Sequence, residues 1–253
     1  MKIFPRLKRY GKTAGHDRPA YRDYQIEIGN YYLTNYVRLF AKGNKILDIG
    51  CAEGGVLEAF EKYGFDCTGL EYSEHRIEYA KEASSKKIKF IQGDIERKKL
   101  ESQFDVVLML DVIEHLGKKR EALENIKQSL FPDGVCIVSF PPFRSAFGGH
   151  QQVMSSFLQF IPFLHLLPEK TYLWLLEHIE KKNVASFFRN YKTGITISQF
   201  EKLISQLGFH IKKKIFHFVR PRQAFRFGIK IRKNKLMIFR EYFSSGAIYI
   251  LNI

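Results

Sequence analysis

Lys45-Ile46-Leu47-Asp48-Ile49-Gly50-Cys51-Ala52-Glu53-Gly54-Gly55-Val56 is the stretch on which the fold is read. Lys45 to Ile49 is short, mostly apolar and bounded by turn residues, which marks a buried strand. Gly50 and Gly54 permit a tight turn and close backbone approach, and Val56 to Tyr63 then carries helical spacing. A strand that passes through such a turn into a helix leaves the first helical amides facing outward, where they meet an anionic group such as a carboxylate. Taken alone, the turn is equally compatible with a purely structural role.

Working outward, Cys67 to Leu70 reads as a second strand ending at Glu71. That acidic residue stands about 20 residues after Gly50, the offset at which a carboxylate accepts hydrogen bonds from ribose hydroxyls. Ser73 is placed to cap a helix running to about Ala83, with Glu74 in its first turn. Lys87 to Ile91 and Phe104 to Leu110 follow as strands, the latter nearly all apolar and therefore buried on both faces. Leu123, Ile126 and Leu130 mark a further helix, Phe131-Pro132-Asp133-Gly134 stops it, and Val135 to Phe140 is a fifth strand. Strands alternating with helices predict an α/β fold, a Rossmann-like doubly wound sheet that is mostly parallel.

Upstream, Ile28, Tyr31, Tyr32, Asn35, Tyr36 and Leu39 recur at helical spacing within Tyr21 to Phe40. Past Pro141 the order breaks for some fifty residues, and aromatic-rich Ser156 to Leu167 and Thr171 to Ile179 are punctuated by Pro162 and Pro168. Thr196 with Gln199 forms a capping box, and the stripe Ile197, Phe200, Leu203, Ile204, Leu207 ends at Gly208. The tail predicts antiparallel strands over Phe209 to Val219, Phe225 to Arg232 and Ala247 to Ile253. The middle one alternates Phe225, Phe227, Ile229 and Ile231 with Arg226, Gly228, Lys230 and Arg232. The expected organisation is one domain of seven strands: a helical cap over 1–43, a core over 44–141, an inserted lid over 142–195, and a helix with antiparallel strands over 196–253.

With 45% hydrophobic and 26% charged residues in 253, the composition excludes disordered, collagen-like and disulfide-scaffold classes. Lys+Arg 41 against Asp+Glu 26 leaves a net charge of +15, which points to an anionic partner. Cys51, Cys67 and Cys136 cannot all pair and lie in apolar stretches, the behaviour of reduced thiols. The first twelve residues lack an apolar leader core and no stretch is long enough to span a bilayer, so a cytoplasmic location is expected, with room for peripheral contact at the inner membrane face.

Four strand ends converge on one crevice: Asp48 to Gly54, Glu71, Gln92-Gly93-Asp94-Ile95, and Asp111-Val112-Ile113-Glu114-His115. A G-x-G-x-x-G pyrophosphate turn is absent, which disfavours a dehydrogenase. These residues resemble the class I S-adenosylmethionine-dependent methyltransferases, in particular the group carrying LDIGCGxG, GD and VxEH patterns that includes quinone-ring methyltransferases. The resemblance covers about Asn44 to Pro141. It implies that Asp48, Gly50, Cys51, Ala52 and Gly54 hold the methionine end of S-adenosylmethionine, Glu71 with Tyr72 the ribose, and Asp94 with Ile95 the adenine. Leu110 and Asp111 would line the methyl-donor side, and S-adenosylhomocysteine would leave. Ala52 departs from the usual glycine of that pattern.

Such a transfer implies a nucleophile aligned with the methyl group and, for oxygen or nitrogen, a base near neutral pKa. His115, just past the fourth strand, and His150, in the Phe147-Gly148-Gly149-His150-Gln151-Gln152 loop past the fifth, are the candidates; His115 could equally serve to pack the helix start, and Glu114 reads as structural. No metal-ligand spacing stands out, so no metal is expected. The aromatic lid suggests a small acceptor, aromatic or lipid-linked, and the basic tail an anionic membrane surface. Two alternatives stand beside this: RNA methylation on the basic tail with its interleaved phenylalanines, and a non-catalytic partner subunit.

Overall fold

The computed structural model describes residues 18–236 and 238–253; the leader and the first part of the expected cap lie outside them. The first helix, α1 (Arg18–Tyr32), continues through a π turn at Leu33–Val37 into α2 (Arg38–Phe40). It buries Tyr24, Ile28, Tyr32, Leu33, Tyr36 and Val37; of the stripe read in the sequence, Ile28, Tyr32 and Tyr36 face inward, Tyr31 is half-buried, and Asn35 and Leu39 are exposed. Then come β1 (Lys45–Ile49), α3 (Gly55–Glu61), β2 (Asp66–Glu71), α4 (Glu74–Ala83), β3 (Lys89–Gln92), β4 (Phe104–Leu110), α5 (Lys119–Gln128) and β5 (Leu130–Phe140). Ser73 holds the N-cap position of α4, but its side chain makes no capping bond.

After β5 the chain forms short turns of 3₁₀ helix, then α6 (Glu169–Leu175), a π turn at Leu176–Glu180, and α7 (Val184–Thr193). This insertion has a core of its own: Met154, Leu158, Leu164, Tyr172, Leu176 and Phe187 are buried together. The chain re-enters the main body at α8 (Ile197–Gln206), where Thr196 and Gln199 close the capping box reciprocally. The rest is β6 (His210–Val219), α9 (Pro221–Phe227), β7 (Arg232–Lys233), α10 (Arg240–Phe243) and β8 (Gly246–Asn252).

The strands make one eight-stranded sheet in the order β3-β2-β1-β4-β5-β8-β6-β7. The first five are parallel, whereas β8 runs antiparallel between β5 and β6. The sheet has eight strands where seven were expected, and its outermost, the short β7, meets the predicted Phe225 to Arg232 strand only at Arg232. One face of the sheet packs Ile126, Phe200 and Ile204 of α5 and α8 into the core, and the other packs α1 and α3 through Ile28, Leu57 and Phe60. The sheet is therefore covered on both sides, as the unbroken apolar β4 requires.

One expected strand is not there: Phe225 to Arg232 was read as alternating β, but Pro221 to Phe227 is helix. Pro221 sits in the first turn, where its missing N–H costs nothing, and Gly228 closes the helix at φ +67°. Phe225 packs edge-on against Tyr31 with ring centroids 5.9 Å apart, while Phe227 is exposed. Tertiary contact with α1 outweighs the two-residue period.

Candidate functional site

The ends of β1, β2 and β4 frame a cavity of about 740 Å³ that reaches the segment after β3 and is roofed by Tyr21, Gln25 and Ile28 of α1. Asp48, Gly50, Ala52, Glu71, Tyr72, Asp94, Ile95, Leu110, Asp111 and His115 all line it. Gly54 is the αL residue that starts α3, and neither it nor Cys51 lines the cavity. The Cys51 thiol is buried in the core, and its carbonyl accepts from Gln25 Nε2 at 3.2 Å. Gly50 has φ +70°, and a Cβ there would come within 2.6 Å of Val112, so the turn needs glycine at that point.

Glu71 is clamped by the turns it faces. The Ala52 N–H donates to one carboxylate oxygen at 3.0 Å and the Ser73 N–H to the other at 2.9 Å. Each oxygen keeps a second lone pair for hydroxyl groups in the cavity. Asp48 is buried below it; burial first, and the neighbouring charge of Glu71 second, push its carboxyl up to about 8. Asp94 accepts from the Glu96 N–H at 2.9 Å, which sets its side chain at the rim beside Ile95. A ligand offering hydroxyls and a flat ring fits this acceptor set: Glu71 for the hydroxyls, Asp94 and Ile95 for the ring.

At the far end, Asp111 adopts φ +57° and meets two guanidinium groups, Arg220 at 2.9 Å and Arg222 at 3.0 Å. Burial alone would raise its pKa, but Arg220 and Arg222 overcome that and hold the carboxyl below its ordinary value. Glu114, facing away from solvent, is pushed up to about 8 by burial and then by Asp111. His115 lines the cavity, and its Nδ1 lies 3.2 Å from Asn190 Oδ1, a contact that suits the tautomer with the proton on Nδ1 and the lone pair on Nε2. Burial lowers its pKa. His150 stands behind it with ring centroids 5.0 Å apart, its Nε2 buried without a partner and its pKa pushed down to about 3, by burial first and then by His115. Potential ligand atoms of Glu114, His115 and His150 all lie within 4.8 Å of one another, close enough to hold a metal ion, although no sequence spacing announces it.

Gln25, Arg189, Asn190, Arg220 and Arg222 escaped the sequence reading. Each comes from an element remote in the chain, and Arg220 and Arg222 passed there as members of a basic tail. Only Gln25, a polar residue on the buried stripe of α1, left a local trace.

A model of the methyltransferase domain family matches residues 47–138. Over 99 residues the chain is 35% identical to the ubiquinone biosynthesis O-methyltransferase of Rickettsia canadensis, covering 38% of this chain and 42% of that protein. The mitochondrial ubiquinone biosynthesis O-methyltransferase of Schizosaccharomyces pombe is 33% identical over 103 residues, 38% of each chain. The match thus spans about two fifths of these relatives. Among solved structures, the PH0226 protein of Pyrococcus horikoshii superposes with a TM-score of 0.59 at 18% identity, covering 100% of this chain and 95% of that one. The plantazolicin methyltransferase BpumL in complex with S-adenosylhomocysteine gives 0.58 at 19%, covering 94% and 86%. Both show a shared fold. The match over 47–138 is to a methyltransferase domain, and that segment carries the strand-end residues already described.

Proposed function

We propose that the chain transfers a methyl group from S-adenosylmethionine to an oxygen or nitrogen of a small acceptor, aromatic or lipid-linked. The observation that carries this reading is that Glu71, at the end of β2, and His115, just past β4, line one cavity. When bound, the cofactor supplies an electrophilic methyl carbon with a good leaving group. Gln25 braces the Gly50 to Gly55 turn from above, its Oε1 accepting from the Gly55 N–H at 3.3 Å. Glu71 takes the ribose hydroxyls, Asp94 and Ile95 the adenine, and the turn amides the methionine end. His115, neutral at physiological pH and oriented by Asn190, takes the acceptor's proton on Nε2, and His150 backs its ring. The names of the curated relatives favour oxygen as the methylated atom.

Among the described residues no helix is long and apolar enough to cross a membrane. Phe157, Phe160 and Trp174 on the insertion and Ile238 and Phe239 near Lys233 and Lys235 are exposed, which supports peripheral contact of a cytoplasmic protein with an anionic membrane face.

Calorimetry tests the core of the proposal. S-adenosylmethionine and S-adenosylhomocysteine should bind and NAD should not, and Glu71→Ala should weaken both about tenfold or more. Unchanged affinity in that variant rejects the ribose assignment. His115→Asn should lower turnover by about a hundredfold or more with S-adenosylhomocysteine affinity retained; full turnover would remove the base from this position.

A further inference from the structure

Asp94 stands after β3 and Glu71 at the end of β2, and the sheet order continues from β3 and β2 to β1 and β4. A ligand with its adenine at the first and its ribose at the second therefore extends along the strand ends toward β1 and β4, and its methionine carboxylate arrives there. A carboxylate in this cavity needs donors, and the glycine turn has few left to offer. The N–H groups of Gly50 and Cys51 donate to the Leu70 carbonyl, that of Ala52 to Glu71, that of Gly54 to the Cys51 carbonyl and that of Gly55 to Gln25. The charge has to be met by a side chain.

Arg76, Arg97, Arg189 and Arg222 border the cavity. Arg97 faces Asp94 at 3.6 Å on the adenine side, and Arg76 faces Glu53 at 3.8 Å from α4, the helix that follows β2. Arg189 is exposed on α7 of the insertion. Arg222, on α9, is brought to the end of β4, where its Nε stands 3.0 Å from Asp111 Oδ2. Tyr24 of α1 fixes it there: the phenol O–H donates to the Arg222 carbonyl at 2.8 Å, and the ring centroid lies 6.0 Å from the guanidinium carbon. Asp111 cannot engage the whole group. Its Oδ2 also accepts from Arg220 at 2.9 Å and its Oδ1 from Ser139 at 3.3 Å, whereas a guanidinium carries five N–H donors. The Arg222 side chain is 34% exposed and lines the cavity, so its remaining donors open onto that space.

We propose that Arg222 receives the carboxylate at the amino-acid end of the cofactor, its planar fork matching a carboxylate where a lysine would supply only a point charge. The inference rests on the methyl-transfer reading and adds to it a holding residue from outside the 47–138 segment that matches the domain family. Asp111 is then a positioning residue that acts through Arg222, and Tyr24 ties the same group to α1. The helix α9 becomes a wall of the cofactor site instead of part of a solvated basic face.

Calorimetry on the full chain compares S-adenosylhomocysteine with its decarboxylated analogue, which keeps the adenosine, the sulfur and the amine. The parent compound should bind about tenfold tighter or more. Arg222→Gln should weaken the parent about tenfold and leave the analogue unchanged, so that the contrast disappears. Arg222→Lys, which keeps the charge without the fork, should narrow the contrast several-fold. Arg189→Gln, at an exposed position on the insertion, should preserve it. Equal affinity of the wild type for the two compounds, a contrast that survives Arg222→Gln, an equal loss of both affinities in that variant, or a contrast abolished by Arg189→Gln would overturn the proposal. Should Arg222→Gln fail to fold, Arg222→Lys decides alone. Binding of neither compound by the wild type removes the methyl-transfer reading and this inference with it, whereas tight binding of both without a contrast overturns this inference alone.

Discussion

Ala52 has φ +48°, in the left-handed region that a Cβ disfavours, at the place where the related pattern carries glycine. Its N–H is the one that anchors Glu71, so the backbone holds the strain to aim that amide at the carboxylate. Ala52→Gly should therefore raise stability by roughly 0.5 to 1 kcal/mol, the relief of strain being partly offset by the greater freedom of glycine when unfolded. Thermal unfolding checks this; a lower melting temperature would mean that the alanine methyl contributes packing that outweighs the strain. Glu71, Asp94 and His115 were legible from their positions at strand ends, because a parallel sheet delivers consecutive strand ends to one edge. The ion pairs of Asp111 were not legible, since Arg220 and Arg222 come from about a hundred positions away in the chain.

At the scale of elements, α1 docks against α3 at a point of very close approach. A Cβ on Gly29 would lie 2.7 Å from the Val56 carbonyl oxygen and 2.8 Å from the Ala59 Cβ. Glycine is needed there for space, not for its dihedral freedom. Gly29→Val should lift α1 off α3, cost about 1 to 3 kcal/mol, and weaken S-adenosylhomocysteine binding because Tyr21, Gln25 and Ile28 of α1 form the cavity roof. Equal affinity in a destabilised variant would separate α1 from the cofactor site. The same helix explains the misread strand at Phe225 to Arg232. Tyr24 donates to the Arg222 carbonyl at 2.8 Å, and Tyr31 packs on Phe225, so α9 is held as a helix by contacts with α1 that no local period records.

For the whole molecule, the buried titratable groups predict a narrow pH optimum. Asp48 and Glu114 are raised to about 8, so between the ordinary carboxylate range and pH 8 the folded state binds protons that the unfolded chain has released. Their contribution to stability therefore declines as pH rises through that window, by up to roughly 1.4 kcal/mol per pH unit for each group. His150 and His217 are lowered to about 3 and about 4, mainly by burial, and His165 is also lowered. Unfolded histidines take up protons near 6.5, so stability also falls as pH drops below that value. Melting temperature followed from pH 4 to pH 9 should trace a dome, and Asp48→Asn should flatten its alkaline side; an unchanged alkaline slope in that variant would contradict the burial assigned to Asp48.

By itself the sequence determined the alternating β and α elements, the parallel half of the sheet, the glycine turn and the acidic residues beyond it. These depend on periods and offsets a few to about twenty residues long, which backbone geometry converts directly into position. Tertiary structure alone decided that Arg220 and Arg222 turn inward to Asp111, that α9 is helical, and that the insertion packs its own core. Those outcomes depend on burial and charge pairing between segments far apart in the chain, where the same residues read locally as a solvated basic face.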